Sequence, residues 1–218
     1  MKIGILGGTG KEGSGLAYRW ALKGHEVVIG SRDAAKAAAG AAELNQLLAG
    51  KAVVRGAGNN EAAQAAVVVL TVPYAAQVAT ADSVAQQLQG KILVDVTVPL
   101  APPKVDRVQL PNGESAVVAL QRRLGAAVKV VSAFQNVSAT HLKDPSHEVD
   151  CDVLVCGDDA DARETVIGLA QDAGLRAWHA GVLANSIAAE ALTSVLIAIN
   201  KRYKVPGSGI RITGVPRG

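Results

Sequence analysis

Residues 2–24 read KIGILGGTGKEGSGLAYRWALKG, and the reading of this stretch decides the fold. Lys2 to Leu6 is an apolar run of strand length. Gly8-Thr9-Gly10-Lys11-Glu12-Gly13 then fits G-x-G-x-x-G, and Leu16, Ala17, Trp20 and Ala21 recur at helical spacing as far as Gly24, where a helix would stop. In a strand–turn–helix unit each motif glycine has a task. Gly8 allows the tight turn off the strand, Gly10 lets a pyrophosphate lie against bare backbone, and Gly13 lets the helix pack close to the strand. The N–H groups at the helix start face the anion, and the helix dipole favours it. Elsewhere such a run is an ordinary glycine-rich turn. Directly after an N-terminal strand it predicts a dinucleotide site.

The second strand, His25 to Gly30, leads into Ser31-Arg32-Asp33 and an Ala-rich helix over 34–48, closed by Gly50. NAD sites usually carry an acid about twenty residues past the glycines. Here the position offers a hydroxyl (Ser31), a guanidinium (Arg32) and, one turn on, an ammonium (Lys36), a set that suits a 2′-phosphate and predicts NADP. Asp33 reads as the helix cap rather than as a ribose ligand.

Further strands are expected at 52–54, 66–72, 92–96 and 128–134. Helices are expected from Asn60 or Glu61, over 75–88 and over 115–124, with an irregular Pro/Gly loop at 100–115. This alternation gives an α/β fold with a doubly wound, Rossmann-type parallel sheet. Two more strands, 152–155 and 175–178, flank a helix near 162–173. A helix over 185–203, with a wide apolar set at Ile187, Ala191, Leu192, Val195, Leu196 and Ile199, predicts a small, mainly helical C-terminal domain or a subunit interface. The expected division is a nucleotide-binding domain at 1–180 and the C-terminal domain at 181–218.

The 218 residues are 49% hydrophobic but only 3% aromatic, so the core is built from aliphatic side chains, as suits a covered parallel sheet. The net charge of +3 is scattered, apart from Arg122-Arg123 and Lys201-Arg202-Tyr203-Lys204. Those clusters read as solvated helix faces, and no nucleic-acid partner is expected. Cys151 and Cys156 flank one strand and suggest neither a disulfide framework nor a metal site. Met1 leads straight into the first strand without a leader pattern, and the apolar stretch 62–81 is interrupted by Pro73. A soluble, cytoplasmic protein with no membrane partner is expected.

Ligands of such sheets bind beyond the strands' carboxyl ends. Three segments fall there: Thr71–Tyr74, Thr97–Leu100 and Phe134–Ala139, all mostly apolar and free of triads, metal spacings and carboxylate pairs. Hydride transfer between two planar heterocycles needs apposition and exclusion of water more than an acid or base. A carbonyl or imine reductase would want a proton donor, for which Asp95, Tyr74 and His141 are the candidates. Asp95 reads as a strand end, Tyr74 as a packing residue and His141 as part of a solvated helix. No catalytic side chain is assigned.

The stretches ILGGTGKEGSGLAYRWALKGHEVVIGSRDAAKA, VVVLTVPYAAQV, VKVVSAFQNVSA, VLVCGDD and AGVLANSIAAEALTSVLIAINKRY, followed by the tail GIRITG, resemble the NADP-dependent deazaflavin (coenzyme F-420) reductases over nearly the whole chain. The resemblance implies reversible hydride transfer between C4 of the nicotinamide and C5 of the deazaflavin, with NADP and coenzyme F-420 as co-substrates and a homodimer as the assembly. It also implies that Thr9, Gly10, Lys11 and Glu12 hold the pyrophosphate turn and that Ser31, Arg32 and Lys36 take the 2′-phosphate. Val72, Val78, Leu100 and Ala139 would line the adenine and nicotinamide sides, and the loop carrying Gln135 and Val137 would face the deazaflavin. One position departs from the family: Gln135 stands where a histidine is expected, and glutamine cannot carry a positive charge. That keeps a reductase of another acceptor (a flavin, ferric chelate or imine) as the alternative on the same scaffold. A nucleotide-binding sensor without chemistry is the other alternative.

Overall fold

The computed structural model describes residues 1–215, so the end of the expected 181–218 domain lies outside the described residues. Lys2–Leu6 forms β1 and Lys11–Leu22 forms α1, followed by β2 (Glu26–Ser31), α2 (Ala34–Leu48) and β3 (Val54–Gly58). A one-turn helix α3 (Asn59–Ala62), β4 (Val67–Leu70), α4 (Tyr74–Asp82) and β5 (Ile92–Asp95) come next. Then follow α5 (Ala116–Leu124), β6 (Lys129–Ser132), β7 (Asp152–Gly157), α6 (Ala160–Asp172), β8 (Arg176–His179) and α7 (Ser186–Tyr203). All eight strands form one sheet, in the order β3-β2-β1-β4-β5-β6-β7-β8.

The first six strands pair in parallel. The chain reverses its direction of travel across the sheet between β1 and β4, which makes their carboxyl ends the switch point. At β6–β7 the pairing turns antiparallel, with Val131 opposite Gly157 and Ser132 opposite Cys156. The connection, residues 133–151, is long enough for a crossover but holds only a 3-10 turn, Ala139–His141, in place of the helix that usually makes a parallel return. The β7–α6–β8 unit restores parallel pairing within itself. The expected parallel sheet therefore holds on both sides of one reversal.

Two aliphatic layers cover the sheet. One gathers Ile3, Ile5, Val69 and Val94 with Leu16 and Trp20 of α1 and Leu44 of α2. The other gathers Leu6, Val68, Leu70 and Leu93 with Val84, Val117 and Leu120. The third strand lies later than expected, at Val54–Gly58 instead of 52–54. Its Arg-Gly-Ala-Gly sequence reads as a turn, yet Gly56 is required: a Cβ there would stand 2.3 Å from the Ala37 carbonyl oxygen of α2. The fourth helix ends at Asp82 instead of running to 88, because the chain continues in tighter i→i+3 bonds, Val84 N–H to Ala81 and Ala85 N–H to Asp82.

One buried side chain of α1 gathers the carbonyls of the connection after β6. Arg19 of α1 is 8% exposed and donates to the carbonyls of Leu142 (2.8 Å), Ala173 (3.0 Å), His141 (3.3 Å), Asp144 (2.9 Å) and His147 (3.1 Å). Burial lowers its pKa, but its donors are spent on carbonyls that have few other partners. Arg19→Met keeps most of the volume and removes every donor. It should lower unfolding free energy by roughly 3 kcal/mol, since hydrogen bonds to charged groups contribute about 1.5–3 kcal/mol each and are not additive here. Hydrogen exchange should quicken first over 139–148; a variant of wild-type stability and protection would show that the loop holds itself.

Candidate functional site

The turn between β1 and α1 differs from its sequence reading in one respect. The glycine in the left-handed region is Gly7 (φ +76°), so the tight turn belongs to Gly7 rather than Gly8. Gly8 is needed for contact, since a Cβ there would lie 2.7 Å from Cβ of Ile29 on β2. Gly13 packs as expected: a Cβ would meet Thr71 Oγ1 at 2.4 Å and Gly8 Cα at 2.9 Å. Gly10 is the N-cap of α1, and no side chain caps the helix. The first α1 bond is Ser14 N–H to Gly10 O (2.9 Å), which leaves the N–H groups before it for an outside acceptor.

In front of this turn lies a cavity of about 250 Å³, bounded by Gly7, Thr9 and Gly10, by Ser31, Arg32 and Lys36, and by the start of α4. The sequence assembled the first two walls correctly. Arg32 and Lys36 are exposed and form no ion pair among the described residues. Asp33 is a cap, accepting from Ala35 N–H (2.9 Å) and Lys36 N–H (3.3 Å), and so is not a ribose ligand. Uncapped N–H groups beside two unpaired cations fit a dinucleotide with an extra phosphate. Thr71, Val72 and Pro73, from the segment expected at a strand's carboxyl end, complete the lining together with Asn59, Ala76 and Thr80, which sequence reasoning missed. For Asn59 the signal was its position at the carboxyl end of β3.

Glu12 sits in the first turn of α1 with its Oε1 shielded from solvent and without a partner. Burial pushes its carboxyl up to about 8. At neutral pH it is protonated and does not repel an anion at the helix start. Lys11 is exposed beside it.

Val72 is the one candidate of the adenine and nicotinamide sides that lines the cavity; the remaining sequence candidates lie outside it. Val78 is exposed on α4, Leu100 is half-buried after β5, and Ala139 packs against the core at the start of the 3-10 turn. Val137 is buried in the first aliphatic layer. Phe134, buried and edge-on to Trp20 (6.1 Å, 75°), holds a left-handed backbone at φ +73°. Beside it, Gln135 is buried: its Nε2 donates to the Asp95 carbonyl (2.7 Å), its own carbonyl accepts from Thr193 Oγ1 of α7 (2.7 Å), and its Oε1 has no partner.

Of the candidate acids, Asp95 does end its strand. It is fully buried and accepts from Gln77 Nε2 (2.6 Å), Thr97 N–H (2.9 Å) and Thr97 Oγ1 (2.6 Å). Burial outweighs these bonds, with the Glu190 charge adding to it, and pushes Asp95 up to about 6. Tyr74 is half-buried at the head of α4. His141 lies in the 3-10 turn rather than on a solvated helix, stacked on His147 at 4.0 Å.

A larger depression, about 970 Å³, lies between α5 and Val182–Ala184 near Lys129. It opens at the amino end of β6, away from the glycine turn, and so is the wrong end of the sheet for a dinucleotide.

Comparison with known proteins agrees with this geometry. The family "NADP oxidoreductase coenzyme F420-dependent" matches residues 2–99. The F420-dependent NADP reductase of Methanothermobacter marburgensis is 42% identical over 99% of this chain and 100% of its own. The protein of the same name from Methanocaldococcus jannaschii is 43% identical over 99% of each. A crystal structure of a candidate F420-dependent NADP reductase from Arthrobacter sp. FB24 superposes with a TM-score of 0.81 at 30% identity, over 98% of this chain and 99% of that one.

The acid at the helix start, with its shielded Oε1, has a measurable consequence. Above pH 8 Glu12 ionises beside the anion site, so NADPH affinity should fall as pH rises through about 8. Because its folded pKa lies above its unfolded value of 4.5, Glu12 also makes stability decline between about 4.5 and 8, where only the unfolded chain is ionised. Glu12→Gln should flatten both profiles, read by nucleotide titration from pH 6.5 to 9 and by denaturant midpoints from pH 4 to 9. Parallel profiles for variant and wild type would show that Glu12 is ionised throughout.

Proposed function

The chain belongs to the F420-dependent NADP reductase family, and we propose that it transfers a hydride reversibly between NADP(H) and a deazaflavin. The observation that carries the NADP half is the meeting of the uncapped glycine turn with Ser31, Arg32 and Lys36 in one cavity. The deazaflavin half rests on the full-length likeness. When bound, the nicotinamide exchanges hydride at C4 and the deazaflavin at C5.

In this reading Thr9, Gly10, Lys11 and the N–H groups of α1 hold the pyrophosphate, with Gly8 and Gly13 shaping the turn and neutral Glu12 beside it. Ser31, Arg32 and Lys36 hold the 2′-phosphate. Val72, Val78, Leu100 and Ala139 flank the adenine and nicotinamide sides, and Gln135 and Val137 belong to the deazaflavin side. Residues 1–180 would form the nucleotide-binding part, and the described residues from 181 on would supply a second wall. Gln135 would meet its ligand through the unpartnered Oε1, since its donor is already spent on Asp95. That commitment, at a position where a histidine is expected, favours a different acceptor as the second reading.

The test follows nicotinamide absorbance with NADPH and then NADH, offering oxidised deazaflavin, free flavin or ferric chelate in turn. Turnover of NADPH with the deazaflavin is the expected result; turnover with flavin or iron alone supports the second reading. Arg32→Ala should weaken NADPH about ten- to a hundredfold while NADH barely changes, because a charge-assisted hydrogen bond contributes roughly 1.5–3 kcal/mol. Equal loss for both cofactors would remove the phosphate assignment.

We also propose a soluble, cytoplasmic homodimer without nucleic-acid or membrane partners. The segment Leu183–Tyr203 is long and apolar enough to cross a membrane by length and composition. However, its inner face carries the buried Ser186, Glu190 and Ser194 against the rest of the protein. Its outer stripe, Val195 (45% exposed), Ile199 (37%) and Tyr203 (72%), suits a second copy of the chain. The double substitution Val195→Glu, Ile199→Glu should yield a monomer in sedimentation; an unchanged dimer would place the interface elsewhere.

A further inference from the structure

Helix α2 begins Ala-Ala-Lys-Ala-Ala-Ala-Gly-Ala-Ala, and Gly40 interrupts its alanines. A glycine inside a helix costs stability relative to alanine, because it loses more conformational freedom on folding. The backbone at Gly40 is helical, so no left-handed conformation calls for the residue. A contact does. A Cβ at Gly40 would stand 3.2 Å from Thr9 Cγ2 and 3.8 Å from Thr9 Cβ, with Ile29 Cδ1 at 3.5 Å. Carbons pack best at roughly 3.5–4.0 Å, so the Thr9 methyl would have to give way.

The atoms nearest to that point are the methyl and Cβ of Thr9, not its hydroxyl. The methyl is therefore the branch turned to α2. A threonine side chain sits in staggered wells, so seating its methyl fixes the direction of its hydroxyl. Among the described residues no hydrogen bond holds that hydroxyl, and Thr9 lines the cavity immediately before the Gly10 start of α1. Lys36, which lines the same cavity, lies one turn before Gly40 on α2. Residues four apart share a helix face. One face of α2 thus carries a cation of the site and the floor under Thr9.

We propose that Gly40 is a positioning residue for the nucleotide: its bare Cα seats the Thr9 methyl and so aims the Thr9 hydroxyl at the pyrophosphate. This rests on the NADP reading above, in which Thr9 belongs to the pyrophosphate turn. Gly40 itself touches no ligand. The helix is less stable for having glycine here, and the site in exchange holds a hydroxyl in place before the nucleotide arrives.

The test titrates NADPH and NADH calorimetrically, without any acceptor, into wild-type protein, Gly40→Ala, Thr9→Ser and the double variant, and measures the denaturant midpoint of each. Gly40→Ala should keep or raise the midpoint, since alanine favours the helix. It should nevertheless bind both nucleotides about five- to tenfold more weakly, the scale of one hydrogen bond to a charged group. Thr9→Ser keeps the hydroxyl and should stay within about threefold of wild type. In the double variant the serine has no methyl to collide with the new Cβ, and both affinities should return to within about threefold of wild type. Wild-type affinity in Gly40→Ala overturns the proposal, and so does a loss that Thr9→Ser fails to repair. A lowered midpoint in Gly40→Ala without rescue would make the glycine purely structural. A loss confined to NADPH would place the effect on Lys36 and the 2′-phosphate, and overturns the proposal as well. Failure of wild-type protein to bind NADPH at all would remove the NADP reading, and this inference with it.

Discussion

The structure depends on how closely α1 can approach the sheet. Gly13 has no Cβ, and one placed there would overlap Thr71 Oγ1 and the Gly8 backbone. Helix and strands therefore touch through backbone at the switch point between β1 and β4, and the uncapped start of α1 comes up beside the carboxyl ends of both strands. Thr71 fixes the other side of the contact by donating to the Leu6 carbonyl at 2.9 Å. A side chain at position 13 would lift the helix, and the N–H groups would no longer share a cavity with Arg32 and Lys36. The anion site follows from packing: no residue has to reach for the phosphate, because the backbone already faces it.

A second constraint governs the opposite wall. Glu190 of α7 is buried and accepts from Ser115 Oγ (2.5 Å), Ala116 N–H (2.9 Å) and Val117 N–H (3.3 Å), so a carboxylate from one helix satisfies the start of another. Ser186, on the same helix, meets Ser115 Oγ at 2.6 Å. Thr193, one turn on from Glu190, holds the Gln135 carbonyl, and Gln135 holds the Asp95 carbonyl. Burial raises the pKa of Glu190, as it does that of Asp95, and the Glu190 charge adds to the rise at Asp95. Such a chain of buried polar groups contributes little net stability. Breaking any one link strands the others without partners, and that ties α7 to the carboxyl end of β5 in one arrangement.

What the sequence made legible follows from which interactions are local. The first strand, the Gly10 start of α1, the Asp33 cap and the span of α2 are all written in neighbouring residues, and the structure has them where expected. The meeting of Gly10 with Ser31, Arg32 and Lys36 in one cavity was legible for the same reason, since all lie within or just past the first βαβ unit. The misreadings involve residues whose roles are set across space. Gly7 rather than Gly8 turns the chain because Val72, 65 residues on, occupies the volume a Cβ at Gly7 would need. The strand Val54–Gly58 was placed early because the glycine that admits it against Ala37 looks like a turn residue when read alone. The reversal at β7 accompanies a connection with no α-helix in it, and Arg19, which gathers carbonyls of that connection, reads in the sequence as one more polar residue on a helix face.

The same division explains why the cofactor is easier to read than its partner. Around the glycine turn the protein presents unspent groups: helix N–H donors and, among the described residues, two cations without ion pairs. Their chemistry names their ligand. Around Asp95 and Gln135 most donors are spent on buried neighbours, and the flanking segments, Val96–Leu100 and Phe134–Ala139, carry no charged side chain. A wall of that kind recognises shape and excludes water, and it has little spare capacity to discriminate among flat aromatic acceptors. Binding energy collected at the phosphates can nevertheless be used at the far end, because a nucleotide held rigidly by one end presents its ring in a fixed place. Hydride exchange between rings asks for that placement and no proton-transfer residue. In the proposed reading the protein combines a chemically explicit cofactor site with an acceptor wall that discriminates mainly by shape, and Gln135 would act on the partner without disturbing the nucleotide.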